Sequence, residues 1–160
     1  MSSDRSLPSM SLCRPWLGLV CCLLMAGCSS FHRDFHAQSS TVHSPESIEG
    51  AWEGTWKSDT CGHHGKLRGI VSIHADRGTS ARFRATWAHI LTGEYSIPIQ
   101  VVSQPGREFF SGTAHLGRWV GGLYSYEGYV ASNRFFSEYR CSSDHGTFQM
   151  ERPAATSKSR

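Results

Sequence analysis

From Ala51 onward the chain alternates apolar and polar positions in short runs, and almost no stretch carries a helical period. Alternation at every second residue gives a strand one inner and one outer face. The first run, Ala51–Lys57, puts Trp52, Gly54 and Trp56 on one face and Glu53, Thr55 and Lys57 on the other. Lys66–Ala75 gathers Leu67, Val71 and Ile73, and Ser80–Ala88 sets Phe83, Ala85 and Trp87 against Arg82, Arg84 and Thr86. Glu94–Val102 alternates Tyr95, Ile97, Ile99 and Val101 with polar partners, and its Pro98 suits an edge or a bulge. Glu108–Leu116 aligns Phe110, Gly112, Ala114 and Leu116. Leu123–Ala131 is open, because Tyr124, Tyr126 and Val130 compete with Leu123 and Tyr129 for the inner face. Arg134–Arg140 turns Phe135, Ser137 and Tyr139 one way, and Gly146–Arg152 closes with Phe148 and Met150 inward.

Gly, Asn, Asp, Ser or Pro separates these eight runs, and the connections are short. Short connections predict antiparallel hairpin neighbours. The predicted fold is all-β: a single eight-stranded antiparallel up-and-down barrel, with a two-sheet β-sandwich as the alternative. A barrel of this size is filled by side chains or holds one small ligand, and closure removes exposed edges. The opening Gly50-Ala51-Trp52-Glu53-Gly54-Thr55-Trp56 resembles the Gly-x-Trp start of calycin-like barrels such as lipocalins and avidins. That resemblance covers one strand and the strand count.

The first part of the chain has a different pattern. A basic flank at Arg14-Pro15 precedes an apolar run, Trp16 to Met25, and small residues follow. This is the layout of a secretory signal peptide, and the run falls short of the roughly 20 apolar residues that span a bilayer. Leu23-Leu24-Met25-Ala26-Gly27-Cys28 resembles a bacterial lipobox, with Met25 where that family usually has Leu. The resemblance implies cleavage before Cys28 and lipidation of Cys28, and two or more acyl chains suffice for stable anchoring. Ser29 after the cysteine implies outer-membrane sorting if the cell is Gram-negative. Met10 offers a more compact start than Met1. The expected organisation is a signal peptide over 1–27, a lipidated, flexible Ser/His/Gln-rich tether over 28–47, a barrel domain over 48–152 and a disordered tail over 153–160. The expected location is the cell envelope, with the membrane as partner through Cys28.

Charge adds exclusions. The chain has 16 Lys+Arg against 13 Asp+Glu, scattered, so no basic run suggests nucleic acid. The basic strand face of Arg82 and Arg84 is explained by solvent, as is an outward-facing Glu127. His32, His36 and His43 fall in the tether, and His74, His89 and His115 read as strand-face or loop residues.

Cys13, Cys21 and Cys22 leave with the leader, which leaves Cys61 and Cys141 beside the lipidated Cys28. In an up-and-down barrel both reach the same rim, and an oxidising compartment predicts a Cys61–Cys141 disulfide. The rim loops Ser58–Gly65 and Cys141–Gly146 also carry Asp59, His63, His64, Asp144 and His145. A Cys₂His₂ zinc set is chemically possible there, but the spacing matches no finger or ribbon, and turn residues account for it. No nucleophile motif accompanies His63, His64 or His145. The expectation is therefore no catalytic residue, no metal and no cofactor.

Two functional classes follow. The first is a binding module that holds a small apolar or amphipathic ligand in a hollow barrel lined by Trp52, Trp87, Tyr95 and Tyr129. The second is a filled barrel whose rim loops contact or inhibit another envelope protein. Small exported β-barrel lipoproteins that inhibit lysozyme share this plan, but their inhibitory loop motif is not found here. A metal-dependent enzyme at the rim ranks behind both.

Overall fold

The alternating runs become eight strands: β1 (Gly50–Ser58), β2 (His64–His74), β3 (Gly78–Trp87), β4 (Leu91–Gln104), β5 (Arg107–His115), β6 (Leu123–Ala131), β7 (Arg134–Arg140) and β8 (His145–Glu151). Each pairs antiparallel with its sequence neighbour, and β1 pairs with β8 from Glu53↔Glu151 to Ser58↔Gly146, which closes the barrel. The all-β up-and-down barrel expected from periodicity is the observed fold, and the sandwich is not formed.

The computed structural model describes residues 30–87, 91–117 and 122–154. Cys28, the leader and His89 lie outside them. The chain divides into two compact units, Met1–Arg33 and Asp34–Arg160. Of the first, residues 30–33 are described, and they are helical. The second holds the barrel and the rest of a short helix, α1 (residues 30–39). Among the described residues no helix is long and apolar enough to cross a membrane.

The segment expected to be a flexible tether is therefore partly ordered. Asp34 accepts a 2.9 Å hydrogen bond from Arg82 Nη1, and the Arg68 guanidinium lies 5.0 Å from the Phe35 ring centroid. These contacts fall on the outer wall of β2 and β3, beside Ala51 and Ile70, which pair across β1 and β2 and are both buried. Arg82 also donates to Glu94 at 2.8 Å, so it joins α1 to β4 and is not a purely solvated residue.

Hairpin chemistry sets the register at the opposite end from the cysteines. Ala131 pairs with Arg134, and the two residues between them, Ser132 and Asn133, have φ of 50° and 61°. Two consecutive positive φ values define a type I′ hairpin, whose twist matches the strands it joins. The Asn133 N–H then donates to Pro45 O at 2.8 Å, which ties the chain entering the barrel to this turn. Pro98 lies in β4, and the β4–β5 ladder runs only from Gln100↔Ser111 onward, so its missing N–H leaves no gap in it. Its carbonyl accepts the Tyr126 hydroxyl.

The ambiguity in β6 resolves toward Tyr124, Tyr126 and Val130, which belong to the core or pack against it; Leu123 is 60% exposed. One inner position was misassigned: Ile73, near the end of β2, is 52% exposed. There β2 runs out past the floor of the core, and the face that is inner at Val71 has nothing left to pack against.

The floor is dense. Trp52 is fully buried, its indole N–H donates to Ile48 O at 2.8 Å, and its ring meets Phe135 at 5.5 Å between centroids. The Arg152 guanidinium sits 3.7 Å from the Trp52 ring centroid and donates to Ser47 O at 2.7 Å and Ala51 O at 3.3 Å. The Ile48 N–H donates to Glu108 at 2.7 Å. Residues before β1 and after β8 thus seal one end with charge-assisted bonds and a cation–π contact.

Candidate ligand-binding cavity

Above this floor the barrel is hollow. A cavity of about 440 Å³ runs toward the rim that carries the β1–β2 and β7–β8 loops, within the size range of small-molecule sites. Alternation supplies its walls: Leu67 from β2, Ala81, Phe83 and Ala85 from β3, Tyr95, Ile97 and Ile99 from β4, and Phe110 from β5. Tyr124 and Tyr126 of β6, Phe135, Ser137 and Tyr139 of β7, Phe148 of β8 and Trp56 of β1 complete the ring. His63 and Asp144 stand at the mouth.

Space exists because small side chains share the inner face with large ones. Ala81 and Ala85 flank Phe83 along β3. At Gly112 in β5, a Cβ would come within 2.7 Å of the Tyr126 ring and hydroxyl, so glycine lets Tyr126 lie flat against the wall and reach Pro98 O. The large rings form a continuous column from floor to mouth. Centroids run Trp52–Phe135 at 5.5 Å, Phe135–Phe83 at 6.3 Å, Phe83–Phe148 at 5.8 Å, Phe148–Tyr139 at 5.1 Å and Tyr139–Tyr124 at 6.0 Å.

Several polar groups among the rings bond to the barrel itself. Ser137 Oγ donates to Glu127 O at 3.0 Å, and the Trp56 indole N–H donates to Thr86 O at 3.3 Å. Burial pushes the Tyr126 phenol up to about 12 and raises that of Tyr95. Burial also raises Tyr124 and Tyr139 strongly, with further contributions from Cys141 at Tyr124 and from Asp144 at Tyr139. All four therefore present neutral hydroxyls at physiological pH.

Asp144 organises the mouth. It accepts from Ser58 Oγ at 2.6 Å and from the Tyr139 hydroxyl at 2.9 Å. Burial pushes its carboxyl up, but hydrogen bonds from Ser58, Tyr139, Thr60 and the His145 backbone outweigh this and hold it below its ordinary range. Ser58 is fully buried, and its one proton goes to Asp144. It therefore accepts from the Cys61 N–H at 3.2 Å and from the Cys61 thiol at 3.1 Å.

This network replaces the expected disulfide. Cys61 and Cys141 do reach the same rim, but both are free thiols. Cys61 turns to Ser58, and Cys141 turns to Ser143 at 3.7 Å and to Tyr124. Hydrogen bonds hold the two loops together instead: Ser58 to Asp144, Asp59 N–H to His145 O at 2.9 Å, and His145 N–H to Thr60 Oγ1 at 3.3 Å. The other Asp144 contact to this side, the Cys141 N–H to Asp144 O bond at 2.8 Å, turns the β7–β8 loop back on itself. Among the described residues no group of three or more His, Cys, Asp or Glu side chains is placed to hold a metal ion.

Of the residues expected to line a hollow barrel, Tyr95 does so. Trp87 pairs with Leu91 in the β3–β4 ladder, but its side chain lies outside the described set. Trp52 lies below the cavity in the floor, beneath Arg152. Tyr129 faces the outer wall, where it packs between Phe109 and Phe136 under the Arg107 guanidinium. Glu127 faces outward beside it, as expected. The sequence reading missed Trp56, Tyr124, Tyr139 and Phe148 as wall residues. Their inner-face phase was visible for all but Tyr124, whereas the height at which the floor ends was not. The pairing of Asp144 with Ser58 was not legible, because their 2.6 Å contact joins positions 86 apart in sequence. Set against known proteins, the chain matches no family model, no curated protein and no solved structure.

Proposed function

We propose that this is a lipid-anchored envelope protein whose barrel binds one small apolar or amphipathic ligand. The observation that carries the binding role is the open, ring-walled cavity of about 440 Å³ above a sealed floor. A core that merely filled the barrel would close that space, because an unfilled apolar void forfeits packing. The same cavity disfavours the filled-barrel alternative. The Gly50-Ala51-Trp52 opening supports a calycin-like comparison, and the lipobox-like Leu24–Cys28 segment supports anchoring at Cys28.

Native mass spectrometry of the protein recovered from the cell envelope tests the binding role. The expected spectrum shows the chain with a bound small molecule, and an Ala85→Phe variant, which places a ring in the cavity, loses it. Both proteins appearing only at the masses of their own bare chains, with no binding from a panel of apolar ligands, would overturn the reading. For the anchor, cells fed a labelled fatty acid are expected to label the protein, and Cys28→Ser to abolish the label and release the chain from the membrane fraction. Undiminished labelling in Cys28→Ser would refute it.

A further inference from the structure

The described residues that line the cavity include one carboxylate, Asp144, and no Lys or Arg. Asp144 makes no ion pair among the described residues; its partners are the neutral hydroxyls of Ser58, Tyr139 and Thr60 and a backbone N–H. Those donors orient the carboxylate without cancelling its charge. The Tyr139 hydroxyl touches Asp144 at 2.9 Å, and its ring is followed by Tyr124 at 6.0 Å on one side and Phe148 at 5.1 Å on the other. The carboxylate and the aromatic side chains of Tyr139, Tyr124 and Phe148 therefore share one part of the mouth, and a negative charge beside aromatic walls is the combination that suits an organic cation. An anionic head there would meet the like charge of Asp144.

We propose that the cavity selects a lipophilic cation, with an apolar body seated among Phe83, Ile97 and Phe110 and an ammonium head held at Asp144 against the Tyr139 and Tyr124 rings. The inference rests on the cavity being a ligand site. It adds the sign of the ligand's head group, which an apolar pocket alone would leave open.

The test compares decyltrimethylammonium, decanol and decanoate, each below its micelle concentration, by calorimetry and by tryptophan fluorescence on the full chain. These probes share a tail and differ in head. The ammonium is expected to bind about tenfold tighter than decanol, and decanoate weakest. Asp144→Asn keeps the shape and is expected to reduce that preference to within about twofold. If decanol or decanoate binds as tightly as the ammonium, the cation inference fails and the ligand site stands. If none of the three binds, the ligand site fails with it. Should Asp144→Asn not fold, the ranking of head groups on the unaltered protein decides alone.

Discussion

The two ends of this barrel are built from the same alternating strands, yet one is closed and the other hollow. At the floor, Trp52 fills the axis, Ile48, Val71, Val130 and Phe135 surround it, and Arg152 caps it. At the mouth, rings of similar size line the wall and leave the axis empty. Side-chain size alone does not account for this. The floor has extra chain, since residues before β1 and after β8 fold over it and bond to Glu108, Asn133 and Ser47. Among the described residues the mouth has the β1–β2 and β7–β8 loops, held to one another by Ser58, Thr60 and Asp144. The lesson is that closure here comes from the termini, and the strands by themselves make a cup.

Removing the largest floor side chain gives the strongest test of this contrast. Trp52→Ala deletes a fully buried ring, its bond to Ile48 O and the platform for Arg152. It is expected to cost about 3–5 kcal/mol in urea denaturation. Phe148→Ala, in the half-buried wall beside space that already exists, is expected to cost about 1–2 kcal/mol. Equal losses would mean that the cavity wall is packed as tightly as the floor.

Next comes the cap itself. Burial pushes the Arg152 guanidinium down to about 10, so its charge is under strain in the fold and is retained by what it holds. Arg152→Ala strips the cation–π contact and leaves Ser47 O and Ala51 O short of donors. A loss of about 2 kcal/mol is expected by the same denaturation. Arg152→Lys is expected to fall between, because an ammonium lacks the planar fork. A neutral Arg152→Ala would remove the cap from the account of closure.

Sequence reading reached the strands more easily than the site. Period-2 alternation is local, so Trp52, Trp56, Phe83, Phe110, Phe135 and Phe148 could be placed inward from their neighbours alone. How far along the axis each sits depends on strand stagger, which no local pattern carries. Trp52 was therefore expected in the cavity and lies beneath it, and Phe148 was expected in the core and lines the cavity. Tyr129 shows the limit of alternation: Tyr124, Tyr126 and Tyr129 offered rings to both faces of β6, and only the register with β5 and β7 decides between them. The polar tether was misread in part because Phe35, with Phe31 one helical turn before it, lies in a stretch otherwise dominated by Ser, His and Gln. Its burial depends on Arg68 and the outer wall, far away in sequence.

A smaller effect separates filling from emptiness directly. Ala85→Phe in the cavity is expected to change stability by less than about 1 kcal/mol, because its ring enters space that is already open. Val130→Phe, on the fully buried floor, is expected to cost about 1–3 kcal/mol by overpacking. The pair is read by thermal unfolding. A large penalty at Ala85 would show that the upper barrel collapses onto its own rings in solution.

The smallest expected effect is on pH, and the two ends should answer in different windows. At the floor, burial and then the Arg152 charge lower His43 below its ordinary 6.5, with Glu49 opposing. The neutral imidazole is favoured in the fold, so between the folded value and 6.5 the unfolded chain binds the extra proton. That contribution is present above 6.5 and is lost as pH falls through the folded value. At the mouth, Asp144 is held below its ordinary carboxylate range despite the opposing effect of burial. Its contribution is intact above the unfolded value of about 3.9 and is lost only as pH falls through its lower folded value. Melting curves from pH 8 to pH 2 should therefore show a first, shallow decline that His43→Gln removes and a later one that Asp144→Asn removes. If Asp144→Asn still differed from the parent below the later decline, the carboxylate's charge would not be what holds the rim loops, and the contrast between a capped floor and a hydrogen-bonded mouth would need a different cause.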